Sequence, residues 1–243
     1  MIMRRCKIII SAISLIVMCS CGVRNSTFYA PGYISEYYYF ERSNVFLLGN
    51  VEDDGLSIDF VSYGEDGPSV FNYEKRKKKS NYYKLCCKFG DLYYNQSVTY
   101  GDIGEKHNNM YVYADVVTGI NIVSDDDWDN EHPRGALLND LFCVRGVTIY
   151  PYIQSRYEAE TVRTSINQPL SNLVKTDLRL LTYYQVIKFK HPMPGSNASY
   201  LGGHKFLELY TNKFPDNPVQ TLHVALITDE GKTLEYSVEL DLR

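Results

Sequence analysis

The chain has 243 residues and a formal net charge of −4, which reflects an excess of acidic over basic residues. This balance argues against nucleic acid as a partner, because neutralising phosphates requires clustered positive charge. The composition includes 22 tyrosines but a single tryptophan. Since tyrosine favours half-buried strands, the composition predicts a β protein.

The N-terminal segment has the three parts of an export signal. Three basic residues within positions 4–7 precede the apolar run Ile8–Met18, and the small residues Ser20 and Cys21 follow. The run is too short to span a bilayer, which needs about 20 residues, and it is typical of a secretory signal. Cys21 after Ser20 resembles the lipobox of bacterial lipoproteins, whose cysteine is diacylated and becomes the mature N-terminus. We therefore predict a signal peptide over residues 1–20 and lipid attachment at Cys21, with a plain secretory signal as the alternative.

This resemblance also implies a location. Residues 21–31 lack hydrophobic periodicity and are predicted to form a lipidated tether to a single β-rich domain over residues 32–243. Gly22, rather than Asp, favours the outer membrane, and the lack of an acidic cluster beside Cys21 favours its periplasmic face. Removing residues 1–20 takes away three basic and no acidic residues, so the mature charge would be −7. The expected partner is therefore the membrane, through the lipid anchor.

Segments of alternating or aromatic-rich character recur between turn signals, beginning with Tyr33–Phe40 and Leu56–Val61. Val70–Tyr73 and Tyr82–Phe89 flank the basic run at positions 75–79, which predicts a hairpin with a solvated basic tip. Residues 135–142 are expected to form a short helix.

The C-terminal segment has the clearest pattern in the chain. Apolar residues alternate strictly with polar ones from Leu234 to Leu242, after a turn signal at Asp229–Lys232. This is the pattern of a strand buried on one side, following a hairpin turn. Many short strands with regular turns predict a mainly β fold, an antiparallel β-sandwich with one or two short helices.

Three cysteines lie outside the export signal. In an exported protein, a disulfide from Cys86 or Cys87 to Cys143 is plausible and would leave one thiol over. The alternative is three buried free cysteines that act as small hydrophobic side chains.

The densest group of potential ligands is the acidic segment at positions 125–131. Its alternate acidic residues supply oxygens at the spacing of a calcium loop, although an EF-hand requires Gly where Asn130 stands and Glu where Ala136 stands. Calcium is therefore a candidate cofactor, and the alternative is a solvated loop whose side chains cap turns. The candidate ligands are Asp125, Asp127, Asp129 and Glu131.

Trp128 lies within this acidic segment. An exposed indole among carboxylates and amides could stack on a sugar ring, which makes Trp128 a candidate ligand contact. The alternative is an anchor that fills part of a hydrophobic core.

The sequence contains no G-x-S-x-G, H-E-x-x-H, Walker A or G-x-G-x-x-G pattern, and its five histidines are scattered. We therefore do not expect an enzyme.

The segment from Ile120 to Phe142, with His132-Pro133-Arg134-Gly135 before Leu138-Asn139-Asp140-Leu141-Phe142, resembles an uncharacterised family of exported lipoproteins of Bacteroidetes-type bacteria. His204-Lys205-Phe206 and the Asp229–Lys232 turn extend the resemblance to roughly residues 110–240. It implies an exported lipoprotein and supplies no catalytic residues. The expected function is a membrane-anchored, non-enzymatic binding module for an unknown protein or glycan. The alternatives are a glycan-binding accessory lipoprotein of a polysaccharide-uptake system and a fimbria-like structural subunit.

Overall fold

The alternating segments of the sequence form strands in the computed structural model of the chain. The described residues are 27–30, 32–34, 36–52, 54–63, 70–71, 80–94, 96–99, 110–173, 178–191 and 199–243. The strands within them are β1 (Thr27–Ala30), β2 (Glu36–Tyr38), β3 (Val45–Glu52), β4 (Gly55–Tyr63), β5 (Val70–Phe71), β6 (Gln96–Thr99), β7 (Tyr111–Tyr113), β8 (Val117–Ser124), β9 (Cys143–Thr148), β10 (Thr164–Pro169), β11 (Leu181–Thr182), β12 (Gln185–His191), β13 (Ser199–Thr211), β14 (Val219–Thr228) and β15 (Thr233–Asp241). The helices within them are α1 (Asn81–Phe89) and α2 (Tyr150–Gln154), with 3₁₀ turns at Phe40–Arg42 and Leu170–Asn172.

Two antiparallel sheets pack against each other as a sandwich. The larger has seven strands in the order β10-β9-β13-β4-β3, with β11 also beside β9 and β12 also beside β13. The smaller has the order β15-β14-β8. Apolar residues from both sheets form the main core, among them Ile58, Leu209, Ile122 and Val224. The predicted mainly β fold, an antiparallel sandwich with short helices, is confirmed.

The C-terminal hairpin follows the sequence pattern closely. Strand β14 pairs with β15 in the register Leu222↔Val238, so the alternating residues of both strands share a face. Gly231 has a φ of 77°, a left-handed conformation that glycine adopts without steric cost, and it closes the predicted turn.

The N-terminal part contributes two smaller sheets. Strand β2 pairs antiparallel with β5 and parallel with β7. Strand β1 pairs antiparallel with β6 in a two-stranded sheet, with Ala30 opposite Gln96. Strand β1 lies within residues 21–31, the range that was predicted as the tether. The predicted signal peptide and Cys21 lie outside the described residues.

The predicted strand over residues 82–89 is wrong, because this segment is helix α1. The Ser80 Oγ accepts a hydrogen bond from the Tyr83 N–H at 3.1 Å and caps the helix start. Gly90, with a φ of 78°, ends the helix in the left-handed conformation. The buried residues follow the i, i+3, i+4, i+7 spacing of a helix face, and they are Tyr82, Leu85, Cys86 and Phe89. The basic run at 75–79 lies outside the described residues.

The short helix predicted over residues 135–142 is also wrong. This segment runs beside β8, where the Leu138 N–H donates to the Ile122 carbonyl at 2.9 Å. The Asn139 side chain accepts from the Ile122 N–H at 3.1 Å and donates to the Ile120 carbonyl at 2.7 Å. These bonds to the edge of the small sheet replace the intrahelical bonds.

No helix among the described residues is long and apolar enough to cross a membrane.

Candidate binding cleft

An open cleft lies where two loops meet at one end of the sandwich. The first loop connects β8 to β9 and contains the acidic segment, and the second connects β13 to β14. The cleft encloses about 440 Å³. Its lining is polar and acidic, and consists of Asp126, Asp127, Asp129, Asn130, Pro133, Asp216 and Asn217.

The buried side chain of Trp128 anchors the first loop to the main core. Its side chain has no exposed surface and belongs to the main core, where its ring meets that of Phe142 edge to face at 5.9 Å. An indole with no exposed face cannot stack on a sugar. The prediction of Trp128 as a ligand contact is therefore wrong, and the core-anchor alternative holds.

Hydrogen bonds from both main-chain and side-chain groups join the two loops. The Asp216 N–H donates to the Trp128 carbonyl at 2.8 Å. The buried Gln220 side chain donates to the Asp127 carbonyl at 3.1 Å and to the Asn217 carbonyl at 3.3 Å. The Asn217 amide also donates to the Asp126 carboxylate. The cleft is therefore preformed, because its two walls are bonded to one another and to the core.

Two of the lining carboxylates each use one oxygen to shape the loop. The Asp127 Oδ1 accepts from the Arg134 N–H at 2.7 Å. The Asp129 Oδ1 accepts from the N–H groups of Glu131 and His132, both at 2.8 Å. Among the described residues, the Oδ2 atoms of Asp127 and Asp129 and both carboxylate oxygens of Asp216 receive no hydrogen bond. These oxygens are available to a ligand.

A histidine ties the base of the loop to the segment that follows it. The His132 Nδ1 lies 2.7 Å from the Asp129 Oδ1, and its Nε2 lies 3.1 Å from the Asp140 Oδ2. The hydrogen bond to Asp129, together with that to Asp140, raises the pKa of His132. The same hydrogen bond lowers the pKa of Asp129. A protonated His132 can donate to both carboxylates at once.

The four predicted calcium ligands are not gathered around one point. Asp125 Oδ2 lies 3.0 Å from the His223 Nε2, while Asp127 and Asp129 shape the turn and Glu131 is exposed. Within the part of the chain that the structure describes, no three His, Cys, Asp or Glu side chains could hold a metal ion together. Calcium binding by these residues stays a prediction.

The predicted disulfide is not formed, since Cys86, Cys87 and Cys143 are all free. Cys86 lies on the buried face of α1 in a second hydrophobic cluster, and Cys87 is exposed on the same helix. Cys143 begins β9 in the large sheet, opposite Pro169 and Tyr210. The pairing was predicted from the number of cysteines in an exported protein, which does not show whether the thiols lie close together.

Two clusters of buried polar side chains lie outside the cleft, and no sequence motif predicts them. Asp91 is fully buried and accepts from the Tyr33 N–H at 2.7 Å and from the Tyr157 hydroxyl at 2.7 Å. In the large sheet, the Lys205 ammonium lies 2.6 Å from Asp59 and 2.7 Å from Glu208. Hydrogen bonds from neutral groups hold Asp91, and ion pairs hold Lys205, so we assign both clusters to the packing of the fold and not to a ligand site.

The cleft also contains residues that the sequence did not suggest. Asp216 and Asn217 lie about 90 positions after the acidic segment, and only the pairing of β14 with β8 brings them to it. No protein-family model, curated protein or solved structure matches the chain. The geometry of the cleft is thus the basis for assigning a role.

Proposed function

We propose that this protein is a lipid-anchored, non-enzymatic binding module whose cleft holds a ligand with protonated amino groups. The supporting observation is the cleft itself, which is preformed and includes four carboxylates and no basic side chain in its lining. Its volume of about 440 Å³ falls within the range of about 300–1,000 Å³ that small-molecule sites occupy. An open cleft of this size has room for a small organic group.

The charge of the cleft selects the ligand class. Asp127, Asp129 and Asp216 present carboxylate oxygens without internal partners, and the amides of Asn130 and Asn217 lie beside them. Ammonium groups donate several hydrogen bonds and carry the complementary charge. A polyamine, or a lysine-rich segment of a partner protein, has this chemistry.

The anchor is inferred from the sequence. Cys21 and the signal peptide support attachment to a membrane, with the periplasmic face of the outer membrane as the proposed site. The glycan-binding alternative loses its aromatic contact, because Trp128 is buried. The fimbria-like alternative stays a prediction.

Substitution by asparagine tests the cleft without disturbing its loops. The variant D127N/D129N/D216N keeps an Oδ1 acceptor for each turn and removes three charges. We expect the wild-type protein to bind spermidine and the triple variant to bind it about tenfold more weakly, since three exposed ion pairs contribute about 0.5 kcal/mol each. Isothermal titration calorimetry measures the difference. Wild-type protein that does not bind spermidine, or a triple variant that binds as well as wild type, would contradict the assignment.

A matched control separates the cleft from general surface charge. The variant E160Q/E235Q/E239Q removes three exposed acidic charges outside the cleft. We expect its affinity for spermidine to stay within about twofold of wild type, because distant exposed charges are screened by salt. Equal weakening in both triple variants would indicate non-specific attraction and overturn the cleft as a site.

A further inference from the structure

A group of tyrosines, the tyrosine cluster, packs next to the C-terminal end of α1. It consists of Tyr33, Tyr94, Tyr152 and Tyr157, whose ring centroids lie 5.0–6.1 Å from their neighbours. The buried Asp91 fixes this cluster through its bonds to Tyr33 and Tyr157. The cluster is therefore rigid on its inner side.

Its outer side presents an aromatic ring and a cation to the solvent. Tyr93 is 57% exposed, and the Arg156 guanidinium lies over its ring at 5.0 Å. Arg156 and Tyr157 have φ values of 57° and 70°, so two consecutive non-glycine residues hold the left-handed conformation at this surface. Tyrosine and arginine side chains together suit the headgroup region of a membrane, where a ring with a polar tip and a phosphate-binding cation both find partners.

The path of the chain places this surface near the anchor. Strand β1 ends at Ala30, three residues before Tyr33, and its partner Gln96 lies two residues after Tyr94. At about 3.3 Å per residue, Thr27 lies only about 10 Å further along β1. The six steps from Thr27 to Cys21 add at most about 20 Å. The three steps from Ala30 to Tyr33 add about 10 Å more, so a lipid on Cys21 would keep Tyr33 within about 40 Å of the headgroups.

The acidic cleft lies at the opposite end of the small sheet. The Lys88 ammonium of α1 lies 3.1 Å from Asp229, directly after the Thr228 end of β14. The cleft residue Asn217 lies just before the Val219 end of the same strand. The ten residues of β14 separate these ends by about 30 Å. A surface near α1 that faces the membrane leaves the cleft pointing away from it.

We propose that the surface formed by Tyr93 and Arg156 rests on the phospholipid headgroups of the leaflet that holds the anchor, and that the cleft faces away from this membrane. This proposal rests on the proposed lipid attachment at Cys21. It gives the domain a fixed orientation, in which a tethered partner or soluble ligand reaches the cleft from the side opposite the bilayer.

Depth-dependent quenching tests this orientation in the full-length lipidated protein. The variants Y93W and F214W each place a tryptophan at an exposed aromatic position, the first at the proposed membrane surface and the second in the loop that carries Asp216. Trp128 is fully buried in both and supplies a common background that wild-type protein measures. The proteins are reconstituted in vesicles of phosphatidylcholine and phosphatidylglycerol, with and without brominated acyl chains.

We expect brominated lipid to lower the added emission of Y93W at least about twofold and to leave that of F214W unchanged. Equal emission of Y93W with and without bromine, in protein that floats with the vesicles, would overturn the orientation while leaving the anchor intact. Failure of the lipidated wild-type protein to float would overturn the anchor and the orientation together. Hydroxyl-radical footprinting of unsubstituted protein gives a second readout, in which vesicles should protect Tyr93 and not Phe214. Equal labelling of Tyr93 with and without vesicles would contradict the proposal even if Y93W failed to fold.

Discussion

Replacing Trp128 with alanine should destabilise the fold strongly. The indole has no exposed surface, packs against Phe142 and supports the loop whose main chain bonds to Asp216. Truncating a buried tryptophan to alanine costs about 3–5 kcal/mol, because it removes apolar contacts and leaves a cavity. For a domain of this size, that loss corresponds to a fall in Tm of roughly 10 °C.

Urea unfolding followed by far-ultraviolet circular dichroism measures this loss without the tryptophan signal. Two controls bracket the result. W128F should cost less than about 2 kcal/mol, since phenylalanine fills much of the site and removes the indole N–H, which has no partner within the described residues. V219A, at a side chain that is 44% exposed, should change stability by less than about 0.5 kcal/mol. A loss below about 1 kcal/mol in W128A would refute the burial of the indole and restore Trp128 as a possible ligand contact.

Three further predictions concern titratable or polar side chains. D91N should destabilise the protein by about 2–3 kcal/mol in urea unfolding, because an amide NH₂ in place of one carboxylate oxygen would face a donor, and an unchanged midpoint would contradict this. The raised pKa of His132 predicts that the protonated side chain stabilises the folded protein. This contribution is fully present below the ordinary pKa of about 6.5 and is lost as the pH rises through the folded-state pKa. An NMR titration should place that pKa above 6.5 in wild type and at a lower value in D140N than in wild type. A wild-type pKa below 6.5 would refute the hydrogen bonds from His132 to Asp129 and Asp140. In native protein Cys87 should react with iodoacetamide well before Cys86, since burial raises the pKa of the Cys86 thiol to about 12, and equal rates would count against this arrangement.

Local patterns were enough to predict the sandwich. The alternation from Leu234 to Leu242 and the turn around Gly231 depend only on neighbouring residues, and both appear as predicted in β15 and its turn. Helix α1 could also have been predicted from the sequence, since Ser80 and Gly90 are helix-capping residues at the right separation. The aromatic-rich character of residues 82–89 predicts a strand, because tyrosine favours strands, but the spacing of the buried residues is that of a helix.

Only one of the two loops that form the cleft could be predicted from the sequence. The acidic segment made Asp127 and Asp129 candidate ligands from the sequence alone. The loop with Asp216 lies beside it only because β8 pairs with β14. The burial of Trp128 depends on the opposite face of the core, which no local pattern encodes. Contacts between distant segments therefore decided both the shape of the cleft and the role of its tryptophan.

The measurement that tests the cleft most directly is a map of backbone amide chemical shifts during a spermidine titration. The account predicts saturable shifts concentrated at Asp126, Asn130 and Asn217, on both walls of the cleft. These shifts should be largely lost in D127N/D129N/D216N. Shifts that are absent, or that are spread evenly over the acidic surface, would contradict the cleft as the binding site.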